Sequence, residues 1–248
     1  MTARSAAGTG RTTAGTARSA GSVAAPGREL VETPAGPAGI TWHPAAGRRP
    51  RCVLALGHGA GGGIEARDLV ALAGALPAYG VTVALVEQPW RVAGKKLAPA
   101  PKTLDAGWTA LWPALAAPGL PVVAGGRSAG ARVACRTAHE LGAAAVLALA
   151  FPLHPPGRPE KSRVAELTEA ADLVPLLTVQ GGNDAFGRPA EFPRGHRPVE
   201  VPYGDHSFAV AKRAPITQDE ALAVLTGAVS DWLVGLGHAS VRPGGRKG

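Results

Sequence analysis

Three side chains in this sequence are of the types that together make a nucleophile at neutral pH, and they follow one another in a usable order. Ser128 stands in Gly126-Arg127-Ser128-Ala129-Gly130, Asp184 in "VQGGNDAFG" and His206 in "PYGDHSF". A serine hydroxyl is a weak nucleophile until a base takes its proton, and histidine acts as that base when a carboxylate fixes its tautomer. The chemistry this predicts is acyl transfer through a serine ester. A second stretch, "GHGAGGG" at residues 57–63, could turn closely spaced backbone N–H groups toward a developing oxyanion.

Each of these stretches has a rival reading. "GHGAGG" satisfies G-x-G-x-x-G after a strand-like run, with Glu87 at the end of the next strand, as a dinucleotide-binding turn would. Against that, Glu65 and Asp68 occupy the start of the following helix, where a pyrophosphate would want positive potential. A strand pair also precedes the motif, whereas a dinucleotide unit usually opens with it. The pentapeptide around Ser128, taken alone, reads equally well as a nucleophile elbow or as a tight strand–helix turn with a capping serine. Asp205 competes with Asp184 for the role of acid. Adjacent residues rarely aim their side chains at each other, so Asp205 reads as a turn former. His43, His139, His196 and His238 have no comparable context and read as surface or turn residues.

The elements that would position these groups alternate. "ELVET" and "GITWH" suggest an antiparallel edge pair, and "RCVLALG", "VTVALVE", "LPVVAGG", "AAVLALAF" and "PLLTVQGG" are apolar runs of the kind buried on both faces of a sheet. "RPVEVPYG" is a last strand whose prolines suit an edge. Helices are predicted over 64–80, 102–116, 129–141, 161–172 and 217–236, the last opened by Thr217 and early acids. Alternation of this kind implies a mostly parallel sheet covered by helices on both faces. Ser128, Asp184 and His206 each fall just past a strand, at the sheet edge where such folds bind ligands. The loops 88–101 and 152–160 emerge at the same edge.

Composition narrows the function classes. The formal charge is +8, but residues 1–28 and 239–248 hold seven basic residues and no acid, leaving the body near +1. That is no basic face for nucleic acid. Cys52 and Cys135 lack metal-ligand spacing and suit a reducing compartment, so the cytoplasm is expected. No apolar run approaches the roughly 18 residues a membrane helix needs, and the N-terminus carries no secretory h-region. The predicted organisation is a disordered basic tail over 1–28, one domain over 29–238 and a second basic tail over 239–248.

With "GHGAGGG", "GGRSAGARVA", "FPLHPPGRPEKSR", "LLTVQGGNDAFG" and "GDHSF" in that order, the chain resembles an α/β-hydrolase. More narrowly, it resembles the KANL/Tex hydrolase-like family, a dienelactone-hydrolase-like group. The resemblance implies an α/β-hydrolase fold with little or no lid, a triad of Ser128, Asp184 and His206, and no cofactor or metal. It makes "GHGAGGG" an oxyanion loop, with the Ala60 amide (Gly61 its neighbouring alternative) and the Ala129 amide as the two donors and His58 holding the loop in place. Ala129 stands where relatives carry methionine, which bears on pocket shape. The implied substrate is a small ester, thioester or lactone. Pocket walls are expected from Gln88–Ala93 and Leu153–Arg158, with Trp90 and His154 as substrate contacts and Trp90 reading equally well as buried core. Arg91, Lys95, Lys96, Arg158 and Lys161 make both loops basic, a hint of an anionic substrate set against plain solvated charge. Because the family includes members of multiprotein complexes, the alternative is an idle hydrolase fold serving as a scaffold. Oligomeric state is left open.

Overall fold

The structure, a computed structural model, describes residues 27–47 and 49–239. Its core is the expected sheet, of eight strands: β1 (Gly27–Val31), β2 (Ala38–His43), β3 (Cys52–Gly57), β4 (Val81–Glu87), β5 (Val122–Arg127), β6 (Ala145–Leu149), β7 (Leu176–Gly181) and β8 (Val199–Val201). They lie in the order β1-β2-β4-β3-β5-β6-β7-β8. β1 and β2 are antiparallel, and β3 to β8 are parallel. The order reverses at β3, whose neighbours are β4 on one side and β5 on the other. A crevice therefore opens at the carboxyl ends of β3 and β5, where the two glycine stretches stand.

The continuous apolar runs are continuous because each feeds two cores. Along β3, Val53 and Ala55 face one layer while Leu54 and Leu56 face the other, as a period of two requires. The first layer holds α3 (Pro101–Ala116), α4 (Ala129–Thr137) and α5 (Val164–Leu173); the second holds α1 (Arg67–Ala75) and α6 (Gln218–Ala239). Much of the α4 contact is alanine against alanine, with Ala131, Ala134 and Ala138 buried on the same side as Ala55, Ala124 and Ala148. Small side chains let α4 approach the sheet closely, and that places its N-terminus at the crevice.

Boundaries differ from the sequence reading at several elements. Gly27 and Arg28, assigned to the N-terminal tail, begin β1, and Arg28 pairs with Glu87 at 2.8 Å; Ala239, assigned to the C-terminal tail, ends α6, and the remaining tail residues lie outside those described. The helix expected over 64–80 divides into α1 and a 3₁₀ turn at Leu76–Tyr79, since Pro77 cannot continue it, and ends at Gly80 with φ 77°. The loop after β4 contains a one-turn helix, α2 (Pro89–Val92). α4 stops at Thr137 and α5 starts at Val164, both shorter than expected. α6 opens on a reciprocal cap: Glu220 N–H donates to Thr217 Oγ1 (3.2 Å), and Thr217 N–H donates to the Glu220 carboxylate (2.7 Å). No helix among the described residues is long and apolar enough to cross a membrane.

Candidate active site

Ser128 links β5 to α4 with φ 54° and ψ −109°. That region is disfavoured for any residue with a Cβ, so the surroundings must hold it there. One restraint is the Ser128 N–H donating to the Leu149 carbonyl at 2.9 Å. The other is steric. A Cβ on Gly126 would lie 2.6 Å from the Gly57 carbonyl oxygen, and one on Gly130 would lie 2.5 Å from it. Only glycines let β3, β5 and α4 meet this closely, and the meeting lifts the hydroxyl above the sheet.

The acid and base arrive on the next two strand ends. Asp184, with no exposed surface, sits in the turn after β7. Its Oδ1 accepts from Phe186 N–H and its Oδ2 from Gln180 Nε2, both at 2.8 Å. His206, after β8, has Nδ1 2.8 Å from Asp184 Oδ2 and Nε2 2.9 Å from Ser128 Oγ. A carboxylate accepts only, so Nδ1 carries the proton and Nε2 is left to accept from the serine hydroxyl. The Phe186 ring stacks on the imidazole at 4.0 Å and 26°. Serine, histidine and aspartate thus form one hydrogen-bonded chain.

The glycine loop after β3 faces Ser128 across a cavity of about 590 Å³, lined by Gly59 to Gly62, Arg127, Phe186 and His206 among others. Ala60 lines this space and Ala129 directly follows Ser128, and neither amide has an acceptor among the described residues. His58 is buried behind the loop: its Nε2 accepts from Gln88 N–H at 3.1 Å, and its Nδ1 donates to the Gly59 carbonyl at 2.9 Å. Burial lowers its pKa, which keeps the ring in this neutral, bridging form.

The sequence profile of the α/β-hydrolase domain matches residues 50–234. The chain belongs to the α/β-hydrolase domain family. Among solved structures, a serine hydrolase without a lid from Xanthomonas campestris is 19% identical, with a TM-score of 0.61 over 84% of this chain and 94% of that one. A dienelactone hydrolase from Anabaena variabilis is 18% identical, with a TM-score of 0.60 over 85% and 98%. The esterase domain of a Rhodothermus marinus protein is 13% identical, with a TM-score of 0.60 over 84% and 98%. At these identities the likeness is one of fold. No curated protein matches the chain.

Two expected substrate contacts of this α/β-hydrolase lie elsewhere. Trp90 is 6% exposed, packs edge-on to His58 at 5.3 Å and stands in the core rather than in the cavity at Ser128. A large apolar ring beside a buried imidazole gains more from burial than from facing solvent. His154 is also buried, hydrogen-bonded to the Pro155 carbonyl and to Glu191 Oε2, each at 2.9 Å, and it does not line that cavity. The hydrogen bond to Pro155, then Glu191, raises its pKa, so it is a clamp on its own loop. None of the loop cations Arg91, Lys95, Lys96, Arg158 or Lys161 lines the cavity either; Arg91 lies 3.7 Å from Glu65.

Asp205 is the turn former its adjacency suggested. Its Oδ1 accepts from Ser207 N–H, Ser207 Oγ and Ala209 N–H at 2.7–2.9 Å. Burial pushes this carboxyl up, yet those donors hold it below its ordinary value. Gln180, Phe186 and Arg127 were missed from the sequence. Gln180 and Phe186 flank Asp184 closely enough to have been suspected, whereas the partners of Arg127 are distant in sequence. Among the described residues no cluster of His, Cys, Asp or Glu could hold a metal ion.

Proposed function

We propose that the protein is a serine hydrolase that cleaves a small ester, thioester or lactone through an acyl-enzyme on Ser128. The observation that carries this reading is the unbroken Ser128–His206–Asp184 hydrogen-bonded chain at the mouth of a cavity. His206 Nε2 takes the Ser128 proton as Oγ attacks the acyl carbon, and the carbonyl electron pair moves onto oxygen. The Ala60 and Ala129 amides stabilise that oxyanion, and the adjacent α4 N-terminus adds positive potential. Collapse breaks the bond to the leaving oxygen or sulfur, which receives the proton from Nε2. Water then gives a proton to His206 and attacks the acyl-enzyme, releasing the acid and regenerating Ser128. Asp184 keeps the imidazole in the productive tautomer throughout.

No step draws on a cofactor or metal, and the partner is the small acyl substrate. Two unpaired thiols suit a reducing compartment such as the cytoplasm. The Cys135 thiol, pushed up to about 12 by burial, is no rival nucleophile.

A fluorophosphonate probe followed by intact mass tests the proposal. Wild type is expected to gain one adduct, and Ser128→Ala and His206→Ala none, with ester turnover falling by about 10⁴-fold or more. Folded wild type that stays unlabelled would overturn the reading and leave the fold as a scaffold.

A further inference from the structure

We propose that Arg127 is a positioning residue for His206, with Asp68 as its buried anchor. This rests on the reading of Ser128 as nucleophile. Arg127 is the last residue of β5, immediately before the serine, and its guanidinium touches three separate parts of the site. Nη2 donates to the main-chain carbonyl of His206 at 2.9 Å. Nε faces Asp68 Oδ2 at 3.5 Å. Nη1 lies against Gly59, so close that a Cβ there would be 3.1 Å from it and 3.4 Å from Ser128 Cβ. One planar group therefore spans the glycine loop after β3, the end of β5 and the loop after β8. Those segments carry the oxyanion donor, the nucleophile and the base.

Asp68 explains why the guanidinium stays in that plane. It occupies the first turn of α1 with no exposed surface, and neither oxygen makes a hydrogen bond of standard geometry among the described residues. What faces it is Arg127 and the first-turn amides of its own helix. A carboxylate here is costly for the fold, since an apolar residue of similar size would carry no desolvation penalty. Its position makes sense as a fixed negative charge behind Arg127. The carbonyl of His206 accepts no other hydrogen bond among the described residues. Losing Arg127 would release the loop that sets the Nε2 to Oγ distance, and displacement of about 1 Å in such a pair can cost about 100-fold.

The test combines chemistry with a readout that needs none. Arg127→Met is expected to react with a fluorophosphonate about 10- to 100-fold more slowly and to lose kcat on p-nitrophenyl acetate by a similar factor, with KM little changed. Arg127→Lys keeps the charge but cannot reach His206 and Asp68 together, so it recovers only part of that loss and covers the case in which the methionine variant fails to fold. Millimolar guanidinium is expected to restore part of the rate to Arg127→Ala, which a merely structural defect would not allow. Asp68→Asn shifts labelling in the same direction by a smaller factor. In parallel, the downfield proton resonance of His206 Nδ1–H is expected to broaden or vanish in Arg127→Met.

Folded variants that label at the wild-type rate and keep that resonance would overturn the positioning role. So would a rise in KM with kcat intact, which would make Arg127 a substrate-binding group. If wild type is unlabelled but its resonance depends on Arg127, the positioning stands and the hydrolase reading falls.

Discussion

The two glycine stretches, "GHGAGG" after β3 and "GGRSAG" after β5, look alike in sequence and meet in space, yet their glycines are present for opposite reasons. In the turn after β5 there is no room. A Cβ on Gly126 or Gly130 would run into the backbone of β3, α4 or both. In the facing loop Gly61 and Gly62 have open space, for a Cβ on either would meet no atom within 4 Å. The first pair is demanded by packing. The second leaves backbone amides bare beside a cavity, which is what an oxyanion loop needs. A glycine motif therefore does not say whether it serves contact or access.

That contrast can be broken at graded cost. Gly126→Ala and Gly130→Ala are expected to lose about 3 kcal/mol or more, or to fail to fold, because the colliding atoms are backbone and cannot swing away. Urea titration and soluble yield would show it, and near-wild-type stability would refute the steric account. Gly59→Ala lies between the extremes, its Cβ 3.1 Å from a movable guanidinium nitrogen. It is expected to fold and to label about tenfold more slowly, as Arg127 is displaced.

A smaller and pH-dependent effect probes the Asp68–Arg127 pair beneath both loops. Burial pushes the Asp68 carboxyl up to about 6 from an ordinary 3.8, with Arg127 opposing. Between those values the native protein binds a proton that the unfolded chain does not. Stability from this group therefore rises as pH falls from about 6 toward 4. Urea midpoints at pH 5 and pH 7.5 should accordingly favour wild type over Asp68→Asn more at the lower pH; a pH-independent difference would contradict it. Least affected are Gly61→Ala and Gly62→Ala. Neither glycine is in a left-handed conformation, so thermal stability should change by no more than about 0.5 kcal/mol with labelling retained.

How much could be read in advance depends on the range of the interaction. The β3 run is legible because period two splits its residues between two cores, and the signal lies within six residues. Ser128, Asp184 and His206 were legible for a related reason: each follows a strand, and strand ends are local features. α2 was not, because a single turn after Pro89 is too short to show a period. Trp90 reads two ways in the sequence because a tryptophan after a strand can wall a pocket or fill a core. The choice depends on His58, 32 residues earlier in the chain, which packs against its ring.

By itself, then, the sequence determined the order of strands and helices, the two glycine turns and the succession of Ser128, Asp184 and His206 at strand ends. All of these are carried by periodicity and by residue types within a few positions of one another. Only the tertiary structure decided which carboxylate meets His206, which way the cavity opens, and that Arg127 reaches a carbonyl 79 positions away while resting on Asp68. Those outcomes depend on how two cores of different side-chain size bring the sheet and helices together, and no local pattern encodes that distance.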